Sequence, residues 1–209
     1  MTPARFITLE GIEGAGKTTV ADRITQSLRR RGITVHATRE PGGTKLAERI
    51  RGVVLDRGEE HISATAETLL MFGARQVHID NLIRPALARG EWVLCDRFTD
   101  ASYAYQGGGH GVPVRHIAAL EEMVHGDLAP DLTFLFDVPL DVSRARLVKQ
   151  QAAGRTLDKF EAEKEAFFVR VRGAYLARAA AAPERFRVID SSRPIADVRA
   201  DLTRLIAEW

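Results

Sequence analysis

A glycine-rich stretch near the N-terminus carries the clearest chemical signal in the sequence. Residues 11–18 read Gly-Ile-Glu-Gly-Ala-Gly-Lys-Thr and match the pattern Gly-x-x-x-x-Gly-Lys-Ser/Thr. The glycines allow the backbone to turn tightly and to aim successive N–H groups at a phosphate chain. Lys17 can reach the outer phosphates, and the Thr18 hydroxyl can enter a Mg²⁺ coordination shell. The stretch therefore predicts a binding site for nucleotide phosphates.

The elements on either side of this loop must hold it in place. An apolar run from Phe6 to Leu9 precedes it, and Val20, Ile24 and Leu28 follow it at helical spacing. A strand before the loop and a helix after it are what the motif requires, because the helix adds its positive N-terminal end to the phosphate site. The residues expected to bind the nucleotide phosphates are Gly11, Ile12, Glu13, Gly14, Ala15, Gly16, Lys17, Thr18 and Thr19.

Two further polar clusters follow apolar, strand-like runs. Residues 39–43 follow the alternating segment 33–38, and residues 96–106 follow the apolar run 92–95. The carboxyl ends of parallel strands lie at one edge of a sheet, and ligands bind just outside that edge. We therefore expect both clusters beside the phosphate loop, in a cleft that holds two ligands.

Two adjacent residues in the second cluster are candidates for phosphate chemistry. Asp96 ends a buried strand beside the loop, a position suited to Mg²⁺, although a helix or turn cap is the alternative interpretation. Arg97 could pair with a carboxylate, but its planar guanidinium is also the best bidentate donor to phosphate, and its place in the cleft favours phosphate. We predict Thr18 and Asp96 as the metal ligands.

Three other residues have less certain roles. Phe72 and Arg75 lie three apart in a predicted helix over 64–88 and so share a face; by default Phe72 is a core residue and Arg75 is solvated. A carboxylate at Glu13 would repel phosphates unless it faced Mg²⁺ or a neutral hydroxyl. We therefore expect the Glu13 side chain to point away from the phosphate chain that the loop surrounds.

The order of predicted elements indicates an α/β fold. We predict strands near residues 6–9, 33–38, 92–95, 132–138 and 186–189. Helical patterns separate them and hairpin turn signals do not, which is typical of a parallel sheet covered on both faces. Residues 99–111 are predicted as a polar, glycine-rich loop. A break at 153–156 precedes a long charged helix predicted over 157–180.

Composition excludes several classes of protein. The chain has 209 residues, of which 45% are hydrophobic and 28% charged, with a formal net charge of +2. This near balance gives no support for nucleic-acid or membrane binding. A single cysteine, Cys95, excludes an internal disulfide and suits a reducing compartment. No apolar run approaches the ~20 residues of a membrane span, and there is no signal-peptide core, so we expect a cytoplasmic protein.

Several motifs taken together resemble those of bacterial thymidylate kinases. They are residues 9–18, 38–44, 96–98 and 104–109, and the likeness extends from about residue 5 to the C-terminus. The resemblance implies a three-layer P-loop NTPase fold, with a five-stranded parallel sheet, helices on both faces and a mobile lid. It implies one kinase domain over 1–209, with the lid at about 150–161.

The resemblance also implies a reaction, which is ATP-dependent phosphorylation of dTMP to dTDP with Mg²⁺, carried out by a homodimer. Phe72 is similar to the aromatic residue that stacks on thymine, and Arg75 to the residue that hydrogen-bonds the base edge. Arg97 resembles the clamp on the dTMP phosphate. The implied dTMP-binding residues are Glu13, Arg39, Phe72, Arg75, Arg97, Ser102, Tyr105 and Gln106.

Some members of the family place a basic residue inside the phosphate loop to assist transfer, and this chain has Glu13 there instead. The resemblance then implies a cation supplied by the lid. We predict Arg155, with Lys159 as the second candidate. The predicted catalytic residues are Lys17, Arg97, Arg155 and Glu13.

Two alternative functions remain open at this point. One is a kinase for a different nucleoside monophosphate or for a deoxynucleoside. The other is a regulatory ATPase that hydrolyses ATP with a protein or nucleic-acid partner. The polar cluster over 97–106 looks like an acceptor site and argues against the ATPase.

Overall fold

A five-stranded sheet lies at the centre of the protein, seen in a computed structural model that describes residues 3–56, 60–154, 159–160 and 163–207. The strand order is β2-β3-β1-β4-β5, and each neighbouring pair is parallel. The parallel α/β prediction is therefore confirmed. The strands are β1 (Phe6–Glu10), β2 (Val35–Arg39), β3 (Trp92–Asp96), β4 (Leu132–Asp137) and β5 (Phe186–Asp190).

Helices connect the strands and cover the sheet. The buried apolar residues form two hydrophobic clusters. Adjacent residues of β1 belong to different ones, since Ile7 packs in one cluster and Phe6 in the other. Because successive strand residues point to opposite faces, each face of the sheet has its own core. The helices in the described ranges are α1 (Lys17–Arg30), α2 (Lys45–Leu55), α3 (Ala64–His78), α4 (Arg84–Ala88), α5 (Thr99–Ser102), α6 (Val114–His125), α7 (Leu140–Ala152), α8 (Glu165–Ala181) and α9 (Ile195–Ala207).

The segment predicted as a glycine-rich loop over 99–111 is instead largely helical. After α5, a π-helical turn runs over Tyr103–Gly109 and packs against α8. A Cβ atom on Gly108 would lie 2.7 Å from the Ala174 Cβ atom, and one on Gly109 would lie 2.3 Å from Phe167. The glycines therefore permit close helix packing here, and their usual association with loops made the prediction wrong.

The long helix predicted over 64–88 contains an irregular turn. A π-helical turn over Ile79–Ile83 separates α3 from α4, and the Arg84 N–H donates to the Ile79 carbonyl. The wide turn comes just before Pro85, which has no N–H to donate to the regular helical ladder. The charged helix predicted over 157–180 is α8, and it begins at Glu165. The predicted lid begins within α7, and positions 155–158 and 161–162 lie outside the described residues.

Candidate active site

The phosphate loop joins the end of β1 to the start of α1. Its backbone needs glycine at particular positions, because Gly14 and Gly16 have φ values of 69° and 92°. A Cβ atom on Gly11 would lie 2.5 Å from the Phe136 carbonyl oxygen. The loop borders an open cavity of about 490 Å³, which we call the donor cavity. Its lining includes Glu13, Gly14, Gly16, Lys17, Thr18, Thr19, Arg39, Asp96 and Arg97.

The Lys17 ammonium lies inside the curve of the loop. It donates to the carbonyl oxygens of Gly11, at 2.9 Å, and Ile12, at 3.0 Å. Burial and the nearby Arg97 guanidinium lower the pKa of Lys17 to about 8. Lys17 therefore remains mostly charged at neutral pH, and bound phosphates would strengthen that charge state.

Asp96 and Thr18 lie on the donor cavity and have oxygen atoms suited to a hard cation. Asp96 Oδ1 is buried and has no hydrogen-bond partner among the described residues. The Thr18 side chain is exposed to the cavity. Within the described ranges, no group of three His, Cys, Asp or Glu residues could form a metal cage. The pair therefore fits Mg²⁺, which takes many of its ligands from phosphates and water.

Arg97 is held from several sides. Its φ of 71° places it in the left-handed region, which is costly for a residue other than glycine. Nη1 donates to the Gly11 carbonyl at 2.9 Å and to the Tyr175 hydroxyl at 3.0 Å, while Nη2 donates to Glu13 Oε1 at 2.8 Å. The guanidinium lies over the Tyr105 ring, 4.7 Å from its centroid. The structure therefore fixes the orientation of this guanidinium.

The buried carboxyl group of Glu10 supports Arg97 through Tyr175. The Tyr175 hydroxyl donates to Glu10 Oε2 at 2.8 Å, and the Phe98 N–H donates to Glu10 Oε1 at 2.7 Å. Burial and the neighbouring Asp100 raise the pKa of Glu10 to about 8. Sequence reasoning assigned no role to Glu10 or Tyr175. The sequence could have indicated a role for Glu10, because a glutamate that ends an apolar strand is unusual. It gives no such indication for Tyr175, which lies far along the chain on α8.

The Glu13 side chain contacts residues of the segment that follows β3. Its carboxylate accepts from Arg97 and, at Oε2, from the Tyr105 hydroxyl at 2.7 Å. These contacts direct it to a second, smaller cavity of about 60 Å³, which we call the acceptor cavity. Four residues line both cavities, so the two cavities meet along them: Glu13 and Arg97, which form an ion pair, together with Glu40 and Arg51. Other residues lining the acceptor cavity include Met71, Arg75, Ser102, Tyr105, Gln106 and Phe160.

Arg75 is buried at the acceptor cavity, contrary to the default interpretation of a solvated side chain. Its Nε donates to Glu40 Oε2 at 2.6 Å, and its Nη2 donates to the Phe98 carbonyl and the Ser102 hydroxyl, both at 3.1 Å. Burial alone would raise the pKa of Glu40, but Arg75 and His78 outweigh burial and lower it. Arg75 Nη1 is buried and has no partner within the described residues. One donor therefore remains for a ligand.

Phe72 lies in the core, as its default interpretation has it, and the base-stacking role implied by the resemblance stays a prediction. It is 1% exposed, belongs to a hydrophobic core and stacks near His125, with ring centroids 6.1 Å apart. The Arg75 guanidinium lies 4.6 Å from the Phe72 centroid. Phe72 is not among the residues that line the acceptor cavity, whereas the preceding residue, Met71, is. In this conformation Phe72 supports Arg75 from the core and is not exposed to a ligand.

The remaining predicted residues divide into three groups. Ser102, Tyr105 and Gln106 lie together at the acceptor cavity. Arg39 is exposed at the rim of the donor cavity, where it pairs with Glu48 at 3.0 Å. Arg155 lies outside the described residues. The second lid candidate, Lys159, pairs with Glu67 instead of reaching the phosphate loop.

The family model for thymidylate kinase matches residues 9–202 of the chain. The chain belongs to the thymidylate kinase family. It is 57% identical to a thymidylate kinase of Bordetella pertussis over 209 residues, covering all of this chain and 97% of that protein. It is 56% identical to one of Pseudomonas syringae pathovar tomato, covering 97% and 95%. The recognised resemblance is therefore confirmed.

A solved structure of a family member has the same fold. The thymidylate kinase from Ehrlichia chaffeensis superposes with a TM-score of 0.79 at 31% identity, covering 98% of this chain and 99% of that one. The agreement confirms the α/β fold predicted from the sequence. As a thymidylate kinase family member, this chain catalyses ATP-dependent phosphorylation of dTMP to dTDP. The two cavities that meet at Arg97 and Glu13 are consistent with two nucleotide substrates.

Proposed function

We propose that the chain transfers the γ-phosphoryl group of ATP directly to dTMP, with ATP in the donor cavity and dTMP in the acceptor cavity. The observation that carries this proposal is the sharing of Arg97 and Glu13 between the two cavities. Two nucleotides bound with their phosphates at the shared residues would present an acceptor oxygen to the γ-phosphorus in line. Phosphoryl transfer depends mainly on such positioning and on charge neutralisation.

On the donor side, residues 11–19 bind the ATP phosphates through backbone N–H groups, and Lys17 holds the β,γ end. Lys17 now donates to two loop carbonyls, and it can exchange these bonds for phosphate oxygens without leaving the loop. Thr18 and Asp96 would hold Mg²⁺, which supplies charge neutralisation at the phosphates when bound. The unpartnered Asp96 Oδ1 and the open Thr18 hydroxyl support this assignment.

On the acceptor side, Arg97 clamps the dTMP phosphate. Among the described residues, its Nε has no partner, so the guanidinium still has a donor for phosphate. Glu13 lies near the sugar 3′-hydroxyl, and the Tyr105 ring packs against the sugar and favours deoxyribose. Arg39 assists at the rim of the donor cavity.

The base of dTMP lies between Met71 and Arg75 on α3 and the segment that carries Ser102 and Gln106. Met71 offers the apolar contact that was expected from Phe72, because Met71 lines the cavity and Phe72 is in the core. Arg75 Nη1 and Gln106 Oε1 are both buried without partners within the described part of the chain. The edge of thymine carries a carbonyl that can accept from Arg75 Nη1 and an N–H that can donate to Gln106 Oε1.

Arg155 is our proposed lid cation for the transferring phosphoryl group. Its rival, Lys159, is engaged by the buried carboxylate of Glu67 at 2.7 Å, which favours Arg155. Phe160, next to Lys159, lines the acceptor cavity and contacts the Tyr105 ring edge-on at 5.6 Å between centroids. A lid over residues 150–161 that closes in this way would exclude water, which competes with dTMP as an acceptor.

The chain would act as a single domain, 1–209, within a cytoplasmic homodimer. Exposed apolar side chains on three helices support an interface between two copies: Val53 on α2, Leu69 on α3 and Met123 on α6. The free and buried Cys95 suits a reducing compartment. Among the helices described, none is long and apolar enough to cross a bilayer. Sedimentation velocity would test the dimer directly.

A nucleotide panel with Mg²⁺-ATP tests the proposed function. The panel comprises dTMP, dUMP, CMP, AMP, GMP and thymidine, and dTMP should be turned over fastest. In Arg97→Ala the KM for dTMP should rise at least about tenfold, since a charge-assisted pair is lost, while the Kd of a non-hydrolysable ATP analogue should change little. Arg84→Ala is the matched control, because Arg84 pairs with exposed Asp127 outside both cavities.

The alternatives would give different patterns. ADP formation without a nucleotide acceptor would indicate the regulatory ATPase. Faster turnover of another nucleotide in the panel would indicate a different kinase. Equal losses of dTMP and ATP-analogue binding in Arg97→Ala would contradict the acceptor-side role of Arg97.

A further inference from the structure

A buried carboxylate beside the acceptor cavity has no role in the reaction described so far. Glu67 lies on α3 and is 1% exposed. Its Oε1 accepts from Gln106 Nε2 at 3.0 Å and lies 3.4 Å from His110 Nε2, and its Oε2 accepts from Lys159 Nζ at 2.7 Å. The Lys159 ammonium compensates the charge of this buried carboxylate. Glu67 therefore joins α3, the π-helical turn over 103–109 and residue 159 at one point.

The contact with Glu67 determines which end of the Gln106 amide faces the ligand. An ionised carboxylate can only accept hydrogen bonds, so Gln106 must turn its NH₂ group toward Glu67. The amide oxygen then points away from Glu67. Gln106 is 1% exposed and lines the acceptor cavity, and its Oε1 is buried without a partner among the described residues. A buried acceptor without a donor is costly, so this site requires an N–H group from its ligand.

We propose that Glu67 is a positioning residue that sets the hydrogen-bond polarity of the base pocket, an inference that rests on the proposed placement of dTMP. With Glu67 ionised, Gln106 offers an acceptor and Arg75 Nη1 offers a donor. Thymine and uracil present N3–H beside the O4 carbonyl and match this pattern. Cytosine presents a lone pair at N3 beside an amino group at C4. Its N3 would then face the Gln106 acceptor, and its amino group would face the Arg75 donor. Glu67 thus selects 4-oxo over 4-amino pyrimidines.

The variant Glu67→Gln tests the role of the carboxylate. The new side chain has nearly the same shape, but it can donate as well as accept, so the Gln106 amide becomes free to rotate. The ratio of kcat/KM for dTMP to that for dCMP should fall at least about tenfold, the scale of one buried hydrogen-bond mismatch. The ratio of dTMP to dUMP should stay within about twofold, because both bases carry N3–H.

The matched control is Glu121→Gln. Glu121 accepts from the Tyr103 hydroxyl and lines neither cavity, so the same chemical change there should leave both ratios at the wild-type values. An unchanged dTMP-to-dCMP ratio in Glu67→Gln would overturn the proposal. A parallel fall of the dTMP-to-dUMP ratio would also overturn it, since that pattern indicates general damage to the pocket.

A second measurement does not depend on the folding of a variant. Calorimetry on the wild-type protein compares dTMP with its 3-deaza analogue, in which C–H replaces N3–H. The analogue should bind at least about tenfold more weakly, because Gln106 Oε1 loses its donor. Equal affinities would overturn the inference while leaving the proposed function intact. Failure of the wild-type protein to phosphorylate dTMP would instead overturn the proposed function and this inference with it.

Discussion

The substitution Tyr175→Phe tests whether the acceptor clamp depends on a residue that never touches substrate. It removes one hydroxyl, which accepts from Arg97 Nη1 at 3.0 Å and donates to Glu10 Oε2 at 2.8 Å. The ring itself is buried and would keep its packing against Tyr105, with centroids 6.2 Å apart. The perturbation is therefore confined to two hydrogen bonds beneath the Arg97 guanidinium.

The size of the effect follows from these bonds. Each buried group left without a partner costs about 1–3 kcal/mol, so the free energy of unfolding should fall by about 2 kcal/mol. Arg97 would keep its bonds to Gly11 and Glu13, so the guanidinium remains present but less firmly oriented. A loss of about 1.4 kcal/mol in dTMP binding corresponds to a tenfold increase in KM. We therefore expect about a tenfold higher KM for dTMP, with the KM for ATP within about twofold of wild type.

Steady-state kinetics with varied dTMP and with varied ATP would measure both quantities, and urea titration would measure stability. Tyr103→Phe is the matched control. The Tyr103 hydroxyl donates to Glu121 away from Arg97, so this variant loses a hydroxyl and keeps the clamp. It should leave both KM values unchanged. If Tyr175→Phe left the KM for dTMP at the wild-type value, or raised both KM values equally, the positioning role of Tyr175 would be refuted.

Two further predictions concern α3 and α6. Met71→Ala should raise the KM for dTMP about tenfold with little loss of stability, as measured by steady-state kinetics and urea titration. Phe72→Ala should instead lower the free energy of unfolding by about 3–5 kcal/mol. If Phe72→Ala raised the KM for dTMP and Met71→Ala lowered stability, Phe72 would be the base contact. Burial and the nearby Arg75 lower the pKa of His125 to about 3. At His125 the folded protein then binds fewer protons than the unfolded chain between pH 6.5 and 3, so the contribution of this residue to stability should fall on acidification below pH 6.5, by about 1.4 kcal/mol per pH unit at most. Glu10, whose pKa is raised to about 8, has the opposite effect on stability in this pH range, and it does so in wild type and in His125→Gln alike. Urea titrations at pH 7 and 5.5 should therefore show wild type losing about 1 kcal/mol relative to His125→Gln, and an identical change in both proteins would contradict the assignment.

The sheet and the phosphate loop were predictable because local patterns determine them. Four apolar runs and one alternating segment, separated by helical patterns, indicate a parallel sheet, and the glycine spacing over 11–16 requires a particular backbone path. The segment 103–109 was not predictable in the same way. Glycine favours loops and close packing alike, and only the presence of α8 against Gly108 decides between them.

The acceptor site was predicted less completely, because side-chain direction decides it. Met71 and Phe72 are adjacent, and about 100° of helical rotation separates a cavity-lining residue from a core residue. The spacing of apolar residues along the sequence is not precise enough to decide which of the two lines the cavity. Glu67 and Tyr175 act through contacts with residues distant in the chain, Gln106 and Arg97, and spacing along the sequence does not encode such contacts.

The stability of the fold does not by itself explain why ion pairs lie beside the acceptor cavity. Removing two charges from water costs several kcal/mol per ion, and well-packed apolar residues often serve a fold as well or better. The Arg75–Glu40 pair nevertheless lies in the interior beside a cavity of about 60 Å³, and in the Lys159–Glu67 pair the carboxylate is buried while the lysine is partly exposed. Next to each pair, one polar atom lacks a partner among the described residues: Arg75 Nη1 and Gln106 Oε1. Such atoms are fixed before a ligand arrives, so binding requires little reorganisation of the protein. Replacing the pairs with apolar residues would remove the Arg75 donor and the Glu67 contact that orients the Gln106 acceptor, the two atoms on which the proposed choice between pyrimidines depends.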